Sequence, residues 1–243
     1  MKHTTTILLA FVLSLAGCGG CERVDQNGTS ESRADCEAPV EPLKLAKRDY
    51  ILAVAADTSG SFVEEMFGSS GRAYQFTLRA IERLFRDRAG TNDRVLLAQL
   101  SANTRALLWE GTPRSLKKRF GSSEKLKDYI LQRSCPNGSC LYAGIAQVLN
   151  YILSLPGVKE GDTKVCILVL SDMDDNSPTQ TEDKERMIEA LKKFKDIKGK
   201  IGFYFIDIQC LETTRQCLID AGLDPRYVES GIVEEPTLPS FAE

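Results

Sequence analysis

The chain has 243 residues, 42% hydrophobic and 27% charged, with 31 Lys and Arg against 34 Asp and Glu and a single histidine. That is the composition of a globular protein long enough to bury a core, not of a disordered or collagen-like chain. A formal charge of −3 argues against the basic footprint that nucleic-acid binding needs, so no nucleic-acid partner is expected.

At the start of the chain, Lys2 and His3 precede an apolar run from Ile7 to Ala16. The run is too short for a permanent membrane-crossing helix, and it ends in Leu15-Ala16-Gly17-Cys18. A charged start, a short apolar stretch and small residues ahead of a cut describe a secretory signal over residues 1–17. Cysteine directly after the small residues resembles the lipobox of bacterial lipoproteins. The resemblance implies cleavage before Cys18, a diacylglycerol thioether on its sulfur and acylation of its new amine. Each buried CH₂ contributes about 0.8 kcal/mol, so several chains on one residue anchor firmly to a membrane. Gly19 rather than Asp follows the cysteine, which by analogy with Gram-negative sorting favours the outer membrane, facing the periplasm. The plainer alternative is an ordinary signal peptide with a chance cysteine. Cleavage removes Lys2 and His3, which lowers the formal charge from −3 to −4 and leaves no histidine. Ser-His-Asp and Cys-His catalysis, imidazole zinc sites and histidine pH switches are then excluded.

Residues 18–48 are rich in Gly, Glu, Asp, Asn, Ser and Pro and too poor in apolar side chains to offset their ordering entropy, so a flexible tether is expected. Strand and helix patterns then alternate without a second linker, giving one domain over 49–233 and a tail over 234–243. Continuous apolar runs, the mark of strands buried on both faces, cover Tyr50–Ala56, Val95–Leu100, Ala106–Glu110, Lys164–Leu170 and Ile201–Asp207, with a short one at Tyr227–Glu229. Helical spacing falls between them, in Tyr74, Leu78, Ile81 and Phe85, in Leu141, Ile145, Val148, Leu149 and Ile152, and in Met187, Leu191 and Phe194. The short polar break within Arg94–Glu110 predicts a hairpin at a sheet edge. The expected architecture is a doubly wound, mostly parallel α/β sheet of Rossmann-like kind with one antiparallel edge strand.

Eight cysteines in an exported chain make disulfides an option. With Cys18 reserved for lipid and Cys166 inside an apolar strand, the others fall into near neighbours: Cys21 and Cys36, Cys135 and Cys140, Cys210 and Cys217. Six cysteines allow about fifteen pairings, so this local scheme rests on proximity alone. CxxC zinc spacing is absent once Cys18 is lipidated.

The first strand ends in Asp57-Thr58-Ser59-Gly60-Ser61, the fourth in Ser171-Asp172, and Asn137-Gly138-Ser139 precedes the helix starting near Leu141. The first two lie at strand carboxyl ends on one rim, where ligands of such sheets bind, with the third on a loop above it. Two carboxylates and three hydroxyls, with no nitrogen or sulfur, form an all-oxygen set suited to a hard cation. Mg²⁺, which retains waters, fits better than Ca²⁺, which wants six to eight oxygens. Gly60 is expected to let the loop turn sharply. The bland readings are that Asp57 and Ser59 cap a helix, that Asp172 caps the turn Asp174-Asp175-Asn176-Ser177-Pro178, and that Asp174 and Asp175 belong to a solvated loop.

Asp57-x-Ser59-x-Ser61 after a buried strand resembles the DxSxS signature of von Willebrand factor A (VWA) domains. The metal site of that family, called MIDAS, adds a threonine followed five and six residues later by Gly and an aliphatic residue. Ser139, ahead of Gly144-Ile145, matches it with serine in place of threonine, and Asp172 matches the aspartate of the third loop. The resemblance implies direct coordination by Ser59, Ser61 and Ser139, with Asp57 and Asp172 acting through water, and Mg²⁺ as cation with Mn²⁺ or Ca²⁺ as alternatives. It further implies that the cation accepts an Asp or Glu carboxylate from a partner protein, so no small-molecule substrate is expected. A Cys135–Cys140 bond would clamp the loop that carries Ser139. The leading function is therefore a tethered, metal-dependent protein-binding module rather than an enzyme. A metal-assisted hydrolase and a structural domain with a vestigial site are the alternatives.

Overall fold

The computed structural model describes residues 49–68, 71–88, 92–100, 106–133 and 140–241. Residues 1–48, with the secretory leader, Cys18, the tether and the Cys21/Cys36 pair, lie outside the described residues, as do Cys135 and Ser139.

In chain order the elements are β1 (Asp49–Ala56), α1 (Gly60–Phe67), α2 (Arg72–Asp87), β2 (Arg94–Gln99), β3 (Leu107–Gly111), α3 (Pro113–Phe120), α4 (Ser123–Leu131) and α5 (Leu141–Ser154). They continue with α6 (Pro156–Lys159), β4 (Thr163–Leu170), α7 (Gln180–Asp196), β5 (Lys200–Ile206), α8 (Leu211–Asp220), a 3₁₀ turn (Pro225–Tyr227) and β6 (Val228–Ser230). The six strands form one sheet in the order β3-β2-β1-β4-β5-β6. All neighbours run parallel except β2 and β3, the hairpin at one edge. The expected doubly wound, mostly parallel sheet with one antiparallel edge strand is what the chain builds.

Two cores follow from the period of two along each strand. Ile51, Ala53 and Ala55 of β1 and Val165, Ile167 and Val169 of β4 face the apolar stripes of α5, α7 and α8. Their alternates, Tyr50, Leu52 and Val54, with Cys166, Leu168 and Leu170, face α1, α2, α3 and α4. Because both sheet faces are covered, the strands read as unbroken apolar runs. The chain returns to the second core near its end: Phe241 is buried edge-on to Tyr50, and the Tyr204 hydroxyl donates to the Thr237 carbonyl at 2.9 Å.

The start of β1 is held by a buried ion pair. The Arg88 Nε donates to Asp93 at 3.0 Å, while the other oxygen of that carboxylate accepts the Tyr50 N–H at 2.9 Å. Pairing and hydrogen bonding together make such a buried charge tolerable. Among the described residues, no helix is long and apolar enough to cross a membrane.

Candidate metal centre

β1 and β4 are neighbours in register, with Ala56 opposite Leu170, so the residues that follow them leave the sheet side by side. The Asp57 N–H donates to the Leu170 carbonyl at 2.7 Å, which extends the ladder by one bond and fixes the Asp57 side chain at the rim. Asp57 is wholly buried. One of its oxygens accepts the Ser59 N–H at 2.7 Å and the other accepts the Ser171 hydroxyl at 3.2 Å. Ser171 also takes the Met173 N–H at 2.9 Å. That bond holds Met173 at φ 63, a left-handed conformation costing a side-chain-bearing residue about 1–3 kcal/mol. The kink lies next to Asp172, where the loop must turn across the rim.

Ser59 occupies the N-cap position of α1, yet its side chain caps nothing. Its Oγ lies 3.3 Å from the Oγ of Ser61 instead. The Ser61 hydroxyl is hydrogen-bonded in turn to the Asp172 carboxylate. One Asp172 oxygen accepts the Asp174 N–H at 3.1 Å, so the turn-capping role is present alongside the contact with Ser61. Burial pushes the Asp172 carboxyl above its ordinary value and the nearby Asp57 charge adds to the effect, while the bonds from Asp174 and Ser61 oppose it.

Asp57, Ser59, Ser61 and Asp172 are thus brought together on one rim. Gly60 is not the hinge that the sequence suggests: it is the first residue of α1 and is not among the glycines with positive φ. The chain turns at Ser59, whose φ −68 and ψ 162 are open to any residue.

Asp175 corrects the expectation of a solvated loop, for it is buried while Asp174 is exposed. Its carboxylate accepts the Tyr142 N–H at 3.0 Å and the Ser177 N–H at 2.9 Å. It thereby ties the loop after β4 to the first turn of α5. The available signal is Asp175-x-Ser177, the same local pattern as Asp57-x-Ser59, in which a carboxylate accepts the N–H two residues on. Gly144 serves the same junction. A Cβ there would stand 2.5 Å from the Leu100 carbonyl oxygen, so only glycine lets α5 approach the end of β2 this closely.

The expected Cys210–Cys217 bridge does not form, and both residues are free thiols. Cys210 is the N-cap of α8 and Cys217 lies within it. Seven residues at about 1.5 Å of rise separate them by roughly 10 Å, beyond the ~7 Å that a disulfide spans. Burial raises both thiols above their usual range, and Asp174, Asp207 and Asp172 add to this at Cys210. Cys166 is the core thiol expected from its strand, pushed by burial up to about 12.

Among the described residues, no group of three or more His, Cys, Asp or Glu side chains gathers as a metal site. The rim offers two carboxylates and the hydroxyls beside them, an all-oxygen set of the kind that suits a hard divalent ion. The donor chemistry fits: the Asp57 charge adds to the burial that disfavours ionised Asp172, and a cation beside the neighbouring hydroxyls would relieve both.

No protein-family model matches the sequence, and no curated protein matches it. Solved structures do. The chain is similar to the pilus adhesin SpaC from Lactobacillus rhamnosus GG in its open conformation, at 12% identity and a TM-score of 0.52, over 78% of this chain and 28% of that one. It therefore spans little more than a quarter of that adhesin. The SpRpn10 VWA domain aligns at 14% identity and a TM-score of 0.49, over 76% of this chain and 86% of that one. Manganese-loaded Plasmodium vivax TRAP aligns at 18% identity and a TM-score of 0.48, over 75% and 68%. At these identities the likeness is one of fold.

Proposed function

We propose that the chain is an exported lipoprotein, anchored through Cys18, whose VWA-type domain binds a protein partner through a divalent cation. In this reading residues 1–17 are the cleaved leader, 18–48 the tether and 49–233 the binding domain. Mg²⁺ suits the all-oxygen donors best, with Mn²⁺ or Ca²⁺ as alternatives. Ser59, Ser61 and Ser139 would hold the ion, and Asp57 and Asp172 would orient the hydroxyls and the remaining waters. The bound ion supplies an electrophilic position for an Asp or Glu carboxylate of the partner.

The observation that carries this reading is the convergence of Ser59, Ser61 and Asp172 around the wholly buried Asp57 carboxylate. Both carboxylates are engaged by N–H and hydroxyl groups, which suits holding an ion in place better than moving protons. Calorimetry of the full chain with MgCl₂, MnCl₂ and CaCl₂ tests the site. We expect binding that Ser59→Ala weakens at least tenfold and Asp57→Ala abolishes. An absence of heat with all three ions would overturn the metal reading, and turnover of generic esters or phosphoesters would favour the hydrolase. The anchor has a separate test: Cys18→Ser should release the protein into the soluble fraction, and full membrane retention of that variant refutes lipidation as the tether.

A further inference from the structure

Beside the rim lies a cavity of about 370 Å³ that the chemistry of the proposed cation does not use. Ser61 and Asp172 form the wall it shares with the rim, and its floor is the buried Phe62, Phe205 and Ile206. Its lips are Ile208, 66% exposed, and Ile232, 75% exposed. Only four large hydrophobic residues stand out as exposed among the described residues; two are these lips, and Val233 adjoins one of them. Apolar exposure is thus concentrated at this spot rather than scattered, as at sites that meet a partner.

The cavity is built and held by specific bonds. Phe205 has φ 66, a costly conformation for an aromatic residue, and the pairing of β5 with β6 loses register between Phe203 and Ile206. The Gly231 N–H still reaches the Ile206 carbonyl at 2.9 Å, which lays Ile232 along the opening. Arg72 closes the side wall. It donates to Glu65 at 2.8 Å and to the Gly231 carbonyl at 2.6 Å, with its guanidinium 5.6 Å from the centre of the Phe205 ring. The two charges in that wall therefore satisfy each other, and the Asp207 carboxylate is turned onto the Gln209 N–H at 2.8 Å. With Asp172 and Asp207 leaving the lining anionic around an apolar floor, such a cavity repels an acidic side chain and complements an aliphatic one.

The geometry points to a specificity pocket for an aliphatic side chain of the partner, one or two residues from the Asp or Glu that seeks the cation. The inference rests on the proposed function and adds to it which partner segments the site accepts. Because cavity and rim share Ser61 and Asp172, one short peptide reaches both, an extended chain advancing about 3.3 Å per residue.

The test is to pan phage-displayed random heptapeptides against the immobilised full chain in detergent, with MgCl₂ present and EDTA as eluent. Enriched peptides are then measured by fluorescence polarisation. We expect Asp or Glu with Leu, Ile, Val or Met within two positions. The double variant Ile208→Ser/Ile232→Ser changes only exposed side chains. It should lower affinity for these peptides about tenfold, the scale of burying one aliphatic side chain, while leaving Mg²⁺ affinity unchanged. Acidic peptides without an aliphatic preference overturn the pocket and leave the cation reading standing, and so does a preference that survives the double variant. Aliphatic peptides that bind equally in EDTA and are lost with the double variant sustain the pocket and overturn the cation reading. Failure to enrich any peptide overturns the pocket, and calorimetry with MgCl₂ alone then decides the cation.

Discussion

Replacing Asp57 by asparagine separates what the buried carboxylate does for folding from what it does for a cation. The amide is nearly isosteric and retains an oxygen for the Ser59 N–H, now 2.7 Å from the carboxylate. What disappears is a negative charge with no solvent exposure, beside an Asp172 carboxyl that burial and this same charge push upward. In the absence of metal, relieving that repulsion works against the weakened bonds from Ser59 and Ser171, and the two should offset to within about 1 kcal/mol. For a domain of this size each kcal/mol moves Tm by roughly 2–4 °C, so the metal-free variant should melt within about 4 °C of the parent. With Mg²⁺ at about a hundred times its Kd the parent gains roughly 2.7 kcal/mol, and the variant, unable to hold the ion, gains nothing. A wide gap between the two melting curves should therefore open in MgCl₂ and not in EDTA, which circular dichroism melts of both proteins read directly. A variant that rises with Mg²⁺ as much as the parent does refutes the reasoning, because Asp57 would then be a structural acceptor only.

Gly144→Ala puts a Cβ 2.5 Å from the Leu100 carbonyl oxygen, and the overpacking should cost about 2 kcal/mol, or a fall of roughly 4–8 °C in Tm; an unchanged melt counts against the close approach of α5. Cys210→Ser and Cys217→Ser, separately or together, should leave the parent's response of Tm to reductant unchanged, and a thiol assay on the unfolded parent without reductant should find both residues reactive; a loss of either thiol to a Cys210–Cys217 bond contradicts the helix geometry. Alkaline stability should fall once pH passes the ordinary tyrosine value of 10. Tyr142 and Tyr151 are raised to about 12, the first mainly by burial and the second mainly by its hydrogen bond to Glu110. The folded state favours their neutral forms, so their contribution is complete below pH 10 and is lost as pH rises through about 12. Ultraviolet titration with parallel unfolding curves checks this, and native tyrosines that all ionise near pH 10 without loss of stability contradict it.

The sheet was legible because its strands are buried on both faces and so appear as apolar runs that polar loops interrupt. All six runs from Tyr50–Ala56 to Tyr227–Glu229 are strands, and the short break after β2 is the antiparallel hairpin. The helices α2, α5 and α7 were legible from long apolar stripes. The remaining ones were not, since α1, α3, α4 and α6 are four to nine residues long and offer too few turns for a period to repeat. In α8 the near-neighbour cysteines suggested a bridge, when they mark positions two helical turns apart.

For the candidate site, the sequence by itself determined the inventory: an Asp-x-Ser-x-Ser loop and a Ser-Asp pair, each immediately after an apolar strand. Local spacing is enough for that, because a strand's carboxyl end and the residue types beyond it are properties of contiguous chain. Tertiary structure alone decided that β1 and β4 are neighbours, so that Asp57 and Asp172 share one rim. It also buried Asp175 against α5, aimed Ser171 at Asp57, and assembled the cavity between Phe62, Phe205 and Ile232. Those partners lie from tens to more than a hundred residues apart, joined only by strand order and by the packing of helices across the sheet. No local pattern of polarity encodes such distances, which is why the candidate residues could be read from the chain and their surroundings could not.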